Sequence, residues 1–130
     1  MALSQRTHLG VHPELVGAAV TLDEGRASAT LVASAVMAAD DRGLVHGGFT
    51  FGLADYAAML AVNDPNVVLG AADCRFLAPV RVGERMTATA EISAAKGRKR
   101  TIRVAVAVAE RVVLEGELTT FVLDQHVLDA

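Results

Sequence analysis

Residues 43–65 read GLVHGGFTFGLADYAAMLAVNDP, from Gly43 to Pro65. The run from Gly47 to Asn63 is rich in alanine, leucine and methionine and has no proline, which predicts a helix of about four turns or more. Pro65 ends it, because a proline biases the residue before it, Asp64, away from helical backbone. This helix is apolar on nearly all sides, so other elements must wrap it. One residue breaks the pattern: apart from His46, Asp55 is the only acidic or basic side chain between Arg42 and Asp64.

The wrapping has to come from strands. Leu15 to Leu22 and Arg26 to Met37 flank the turn Asp23-Glu24-Gly25 and read as a hairpin, with a polar break from Asp40 to Gly43 before the helix. After the helix, Val67 to Leu77, Arg85 to Ala95, Thr101 to Arg111 and Val112 to Leu123 have strand composition, separated by the turn signals APVRVGE and KGRKR. In TIRVAVAVAE, valine alternates with alanine, so one face of that strand is bulky and the other thin. The expectation is an α+β fold over residues 1–130, one domain in which about six mostly antiparallel strands wrap one long helix.

A hydrophobic content of 52% suffices for a core. Net charge is only −3 and aromatic residues make up 4%, which argues against a basic or stacking surface for nucleic acid. The apolar runs are shorter than the roughly 18 to 20 residues that span a bilayer, and Met1 to Gly10 lacks the charged-then-apolar order of a signal peptide. A cytoplasmic protein without membrane attachment is expected. The lone Cys74 fits a reducing compartment and reads as a small strand residue. His8 and His12 stand four apart with no acidic or cysteine ligand at a matching spacing, and there is no zinc spacing, Ser-His-Asp order, Rossmann pattern or P-loop.

The chemistry concentrates at the helix. No Ser, Thr, Asp or Asn precedes Gly47 as an N-cap, so the first N–H groups of the helix are expected to be free. Gly47 and Gly48 would let a ligand approach them, and the positive end of a helix favours an anion or a developing oxyanion. Asp55, if buried, needs water, a donor or a partner such as Tyr56 or Arg75, and burial would raise its pKa. Such a carboxylate suits attack on a carbonyl or activation of a water. Asp55 lies eight residues beyond Gly47, about 12 Å along a helix. One carbonyl cannot touch both groups of one chain, whereas two antiparallel helices would set Asp55 of one copy near Gly47 of the other. A symmetric dimer with two shared sites follows.

The stretch HGGFTFGLAD resembles the helix-opening motif of the hotdog-fold thioesterases of the phenylacetic-acid-pathway (PaaI-like) type, and CRFLAPVRVGE is similar to the strand and turn that follow. The resemblance covers about residues 15–123. It implies a curved antiparallel sheet around one long helix, paired into a homodimer or a dimer of dimers. It further implies hydrolysis of a small, aromatic or fatty acyl-CoA, with coenzyme A entering only as part of the substrate and no other cofactor or metal. By the same resemblance Asp55 is nucleophile or general base, the Gly47 N–H polarises the thioester carbonyl, and His46 positions the thioester, with Gly48 beside them. Two positions depart from that pattern. Asp40 stands where members commonly carry asparagine and cannot donate an amide hydrogen bond, and residues 67–72 hold no hydroxyl where a serine or threonine is often found. A hotdog protein that binds acyl-CoA without turning it over, in a regulatory role, is therefore the alternative reading. Arg98, Lys99 and Arg100 form the densest basic cluster and are expected to meet the phosphates of coenzyme A from a turn. Arg81 and Arg85 flank another turn.

Overall fold

The computed structural model describes residues 3–130. Its elements are β1 (Ala18–Asp23), β2 (Arg26–Val32), α1 (Gly47–Val62), β3 (Val67–Phe76), β4 (Arg85–Lys96), β5 (Lys99–Val108) and β6 (Arg111–Val122). The strands form one sheet in the order β1-β2-β4-β5-β6-β3, every neighbouring pair antiparallel. This is the hotdog arrangement.

Six strands at about 4.8 Å spacing span roughly 24 Å, twice the width of one helix. The helix nonetheless touches all six, so the sheet curls around it. Close approach is possible because β2 and β4 turn alanines inward, Ala27 and Ala29 on one, Ala88 and Ala90 on the other, all buried. Against them pack Leu53, Ala57, Met59 and Leu60 of α1, while Ile102, Val104 and Val106 of β5 supply bulk. Each large side chain buried here contributes about 1.5–3 kcal/mol, and truncating Leu53 to alanine would cost about 2–5 kcal/mol. The thin face of β5, Ala105 and Ala107, looks outward and is half-buried.

The helix ends at Asn63, which takes the left-handed conformation (φ 53°) and returns its N–H to the Met59 carbonyl. Its side chain then clamps the leading segment: Oδ1 accepts from the Arg6 N–H at 2.8 Å and Nδ2 donates to the Ser4 carbonyl at 2.9 Å. At the far side of the sheet β3 is an edge strand, and Leu69 to Asp73 lie exposed along it. It crosses β6 so closely at Gly116 that a Cβ there would sit 2.3 Å from the Asp73 carbonyl oxygen.

Four expected boundaries move by more than one residue. The first strand begins at Ala18 instead of Leu15, and the second stops at Val32, because Ala35–Met37 forms a 3-10 turn that swings the chain toward the helix. Strand β5 begins at Lys99 and ends at Val108, so Lys99 and Arg100 belong to the strand and only Gly97 and Arg98 make the turn. Among the described residues no helix is long and apolar enough to cross a membrane.

Candidate active site at the start of the long helix

Two hydrogen bonds fix the chain just ahead of α1, Val45 N–H to the Val80 carbonyl and His46 N–H to the Met37 carbonyl, each 2.9 Å. His46 is extended there, and its ring folds over the helix start: Nδ1 accepts the Gly48 N–H at 2.8 Å. His46 is thus the N-cap, correcting the expectation of an uncapped start. A backbone N–H can only donate, so Nδ1 carries no proton and the neutral ring holds its proton on Nε2. The ring is exposed, stands edge-on to Phe49 at 6.3 Å, and offers that Nε2–H outward. A Cβ on Gly48 would lie 2.8 Å from Nδ1, so the cap requires glycine at this position.

The cap consumes the Gly48 N–H and leaves the Gly47 N–H without a partner among the described residues. Gly47 faces a cleft of about 360 Å³ walled by Thr50, Phe76, Leu77 and Pro79. The Phe76 ring stands over the glycine, 3.3 Å from where a Cβ would be, and Phe76 and Leu77 are exposed at 58% and 50%. One N–H at the positive end of a helix, in a largely apolar cleft, can hold a developing oxyanion.

Asp55 lies about 12 Å further along α1, on the stripe that the sheet leaves uncovered. Gly48, Gly52 and Asp55 recur at spacings of four and three along it and are all at least partly exposed. One carboxylate oxygen, Oδ1, is sealed from solvent with no hydrogen-bond partner. Neither partner considered from the sequence takes it: the Tyr56 hydroxyl accepts from Gln5 at 3.3 Å, and Arg75 makes no ion pair among the described residues. Burial pushes the Asp55 carboxyl up to about 6, so it ionises near neutrality, where a nucleophile or base must be charged. At Gly52 a Cβ would meet nothing within 4 Å. A glycine inside a helix costs about 1 kcal/mol relative to alanine, and no contact within the chain calls for one here.

The other sequence-derived positions fall elsewhere. Asp40 caps the turn before the helix, its Oδ1 accepting from the N–H groups of Arg42 (3.0 Å) and Leu44 (3.1 Å). Arg98, Lys99 and Arg100 are not brought to the helix start of their own chain. Thr50, in the first turn of α1, reaches the Met86 sulfur, and from Met86 to Lys96 the strand runs roughly 30 Å. Arg98 is paired with Asp124, and Arg100 donates to the carbonyls of Gly97 (2.7 Å) and Lys99 (3.0 Å). Arg42, which sequence reasoning passed over, sits at the rim of the site instead. Its signal was position, in the polar break directly before the motif.

Against known families, residues 42–115 match the model of the thioesterase superfamily. The chain belongs to that superfamily. Among solved structures, this thioesterase-superfamily chain is similar to the protein PH1136 of Pyrococcus horikoshii, 50% identical over 99% of both chains with a TM-score of 0.98. It is also similar to a point mutant of the phenylacetic acid degradation protein PaaI from Thermus thermophilus. That likeness is 30% identity over 84% of this chain and 95% of the other, with a TM-score of 0.76. Over 120 residues, 92% of its length, the chain is 50% identical to a protein of Aquifex aeolicus named methylthioribose-1-phosphate isomerase. It spans only 26% of that relative.

Proposed function

We propose that the chain hydrolyses acyl-CoA thioesters as a symmetric dimer, each site taking Gly47 and His46 from one subunit and Asp55 from the other. The observation that carries this reading is the orphaned Oδ1 of Asp55, a carboxylate ionising near neutrality on an open stripe of the helix. An unpaired buried carboxylate is costly, and its retention is accounted for if the other oxygen of the half-buried Asp55 faces a reacting carbonyl or an attacking water.

Three features of the chain support the dimer. Gly47 and Asp55 are too far apart to share one carbonyl. The edge strand β3 offers ten residues of backbone, and a second β3 lying antiparallel to it would continue the sheet and set the two helices side by side. The empty space at Gly52 lets a neighbouring backbone come close.

In the shared site the thioester carbonyl points at the Gly47 N–H, and His46 donates from Nε2 to hold the substrate. Asp55 of the partner subunit then attacks the carbonyl carbon, or takes a proton from a water that does. The carbonyl π electrons move to oxygen, the Gly47 N–H stabilises that charge, and collapse breaks the C–S bond to release the coenzyme A thiolate. One oxyanion donor of this kind is worth about 3–4 kcal/mol of barrier. On the nucleophilic route water then cleaves the acyl-aspartyl anhydride; on the general-base route the acid forms directly.

The test is release of free thiol from short, long and aromatic acyl-CoAs by wild type and Asp55→Asn. Turnover that disappears in the variant supports the reading. Binding of acyl-CoA by the wild type without turnover would overturn it in favour of a sensor. Mixing Asp55→Ala chains with chains blocked at Gly47 should restore activity, since one of two sites in each heterodimer is whole; confirmed heterodimers without activity would refute the sharing.

A further inference from the structure

Beside the cleft lies a second recess, of about 200 Å³, which shares Pro79 with it and is otherwise bounded by Asp40, Arg42, Leu44 and Arg81. Backbone pairing builds it. Leu44 and Arg81 form an antiparallel bridge, Val82 N–H binds the Gly43 carbonyl at 2.9 Å, and Asp40 ties down the N–H groups of Arg42 and Leu44. The recess therefore stands at a fixed place ahead of the helix. Gly47 is three steps along the chain from Leu44, at most about 11 Å.

What distinguishes this recess is two unengaged guanidinium groups against a single carboxylate, whereas the recess holding Arg75 and Arg103 also carries Asp73, Glu115 and Glu117. Glu84 is the carboxylate tied to Arg81, but its Oε1 accepts the Arg81 backbone N–H at 2.8 Å, and its two oxygens hold Arg111 at 3.0 and 3.1 Å. Among the described residues neither Arg42 nor Arg81 makes an ion pair or a side-chain hydrogen bond. Asp40 is the one acidic group lining the recess, and its Oδ1 is held by the turn. Two cations thus face one carboxylate, next to the apolar surfaces of Leu44, exposed at 42%, and Pro79.

Planar guanidinium groups beside an apolar wall suit a phosphorylated nucleotide, with phosphate oxygens bound by the forks and the base against carbon. We propose that Arg42 and Arg81 bind the phosphates at the nucleotide end of coenzyme A, so that its thiol-bearing arm runs past Pro79 toward Gly47. This rests on the acyl-CoA reading above for the identity of the ligand. It replaces Arg98, Lys99 and Arg100, two of which are already engaged.

The experiment compares coenzyme A with pantetheine, which has the same arm and no phosphate, by calorimetry at low salt. Neither ligand carries a thioester, so the outcome does not depend on catalysis. Wild type should bind coenzyme A about tenfold or more tightly than pantetheine. In the double variant Arg42→Ala, Arg81→Ala that preference should vanish, while Arg42→Lys, Arg81→Lys keeps part of it. Both side chains are exposed, and thermal melts check that the variants fold. An undiminished preference in the double alanine variant would overturn the assignment, as would a loss confined to the variant with alanine at residues 98, 99 and 100. Phosphate-dependent binding through Arg42 and Arg81 in a protein that hydrolyses no acyl-CoA would support the recess while overturning the thioesterase reading.

Discussion

Replacing Asp55 by asparagine should make the protein more stable at neutral pH and inactive. Asp55 ionises near 6 in the folded chain in place of its ordinary 3.8, with burial as the cause. A shift of that size corresponds to about 3 kcal/mol of destabilisation once the group is fully charged. Residual exposure of the side chain lowers this to about 2 kcal/mol. The sign follows from proton binding: the folded state holds the proton more tightly than the unfolded chain, so wild type loses stability as pH rises from about 4 to about 7. Asparagine does not titrate. The stability of the variant relative to wild type should therefore rise by about 2 kcal/mol across that window and stay level above it. Urea unfolding of both proteins from pH 4 to pH 8, at one protein concentration so that assembly does not interfere, reads the difference directly. A difference that stays constant across the window would refute the reasoning, because Asp55 would then ionise as freely in the folded protein as in the unfolded one. The gain in stability with loss of turnover is what a strained functional group predicts.

On activity, kcat/KM for acyl-CoA hydrolysis should rise through a pKa of about 6 as Asp55 ionises; a flat profile between pH 5 and pH 8 would remove Asp55 from the chemistry. His46 has two tasks that can be separated. His46→Asn keeps a side-chain acceptor for the Gly48 N–H and should leave stability within about 0.5 kcal/mol while lowering kcat/KM. Gly48→Ala, whose Cβ would collide with the ring, should cost about 1 kcal/mol for the lost cap as well as activity. Full activity in His46→Asn would leave the ring a structural role only. Gly52→Ala meets no atom of its own chain, so helix propensity alone would stabilise it by about 1 kcal/mol. If the space belongs to a second subunit, sedimentation on dilution should instead show a weaker dimer, and an unchanged one would free Gly52 from the interface.

Much of this architecture is legible in the sequence because local chemistry dictates it. Gly47-Gly48 and Asn63-Asp64-Pro65 bracket α1, and the observed helix ends one residue short of the expected Asn63, which becomes its cap. The alternation of valine and alanine in β5 sorts into buried Val104 and Val106 and outward Ala105 and Ala107. Strand order is not legible in the same way, since β3 follows the helix yet lies at the edge beside β6, a pairing decided by how the sheet closes. The isolation of Asp55 in an apolar run was visible; its sealed oxygen was not, because that depends on packing. The His46 cap is not legible in the sequence because histidine is not among the common N-cap residues, and the ring is aimed at Gly48 by the extended His46 backbone held at the Met37 carbonyl. Nor does charge density along the chain reveal that Asp124 stands across the hairpin from Arg98.

The clamp that Asn63 places on Ser4 and Arg6 also fixes where the chain can be attached to other things. Thr7 and His8 of the leading segment line one cleft together with His126 and Val127 of the trailing segment. Both segments thus meet beside Pro65 and Val67, at the end of the helix remote from Gly47. A fusion partner, a purification tag or a surface tether joined at either segment would stand away from the cleft at Gly47. The same layout lets the fold serve as a module in a longer polypeptide, carried by its neighbours from one pole and open at the other.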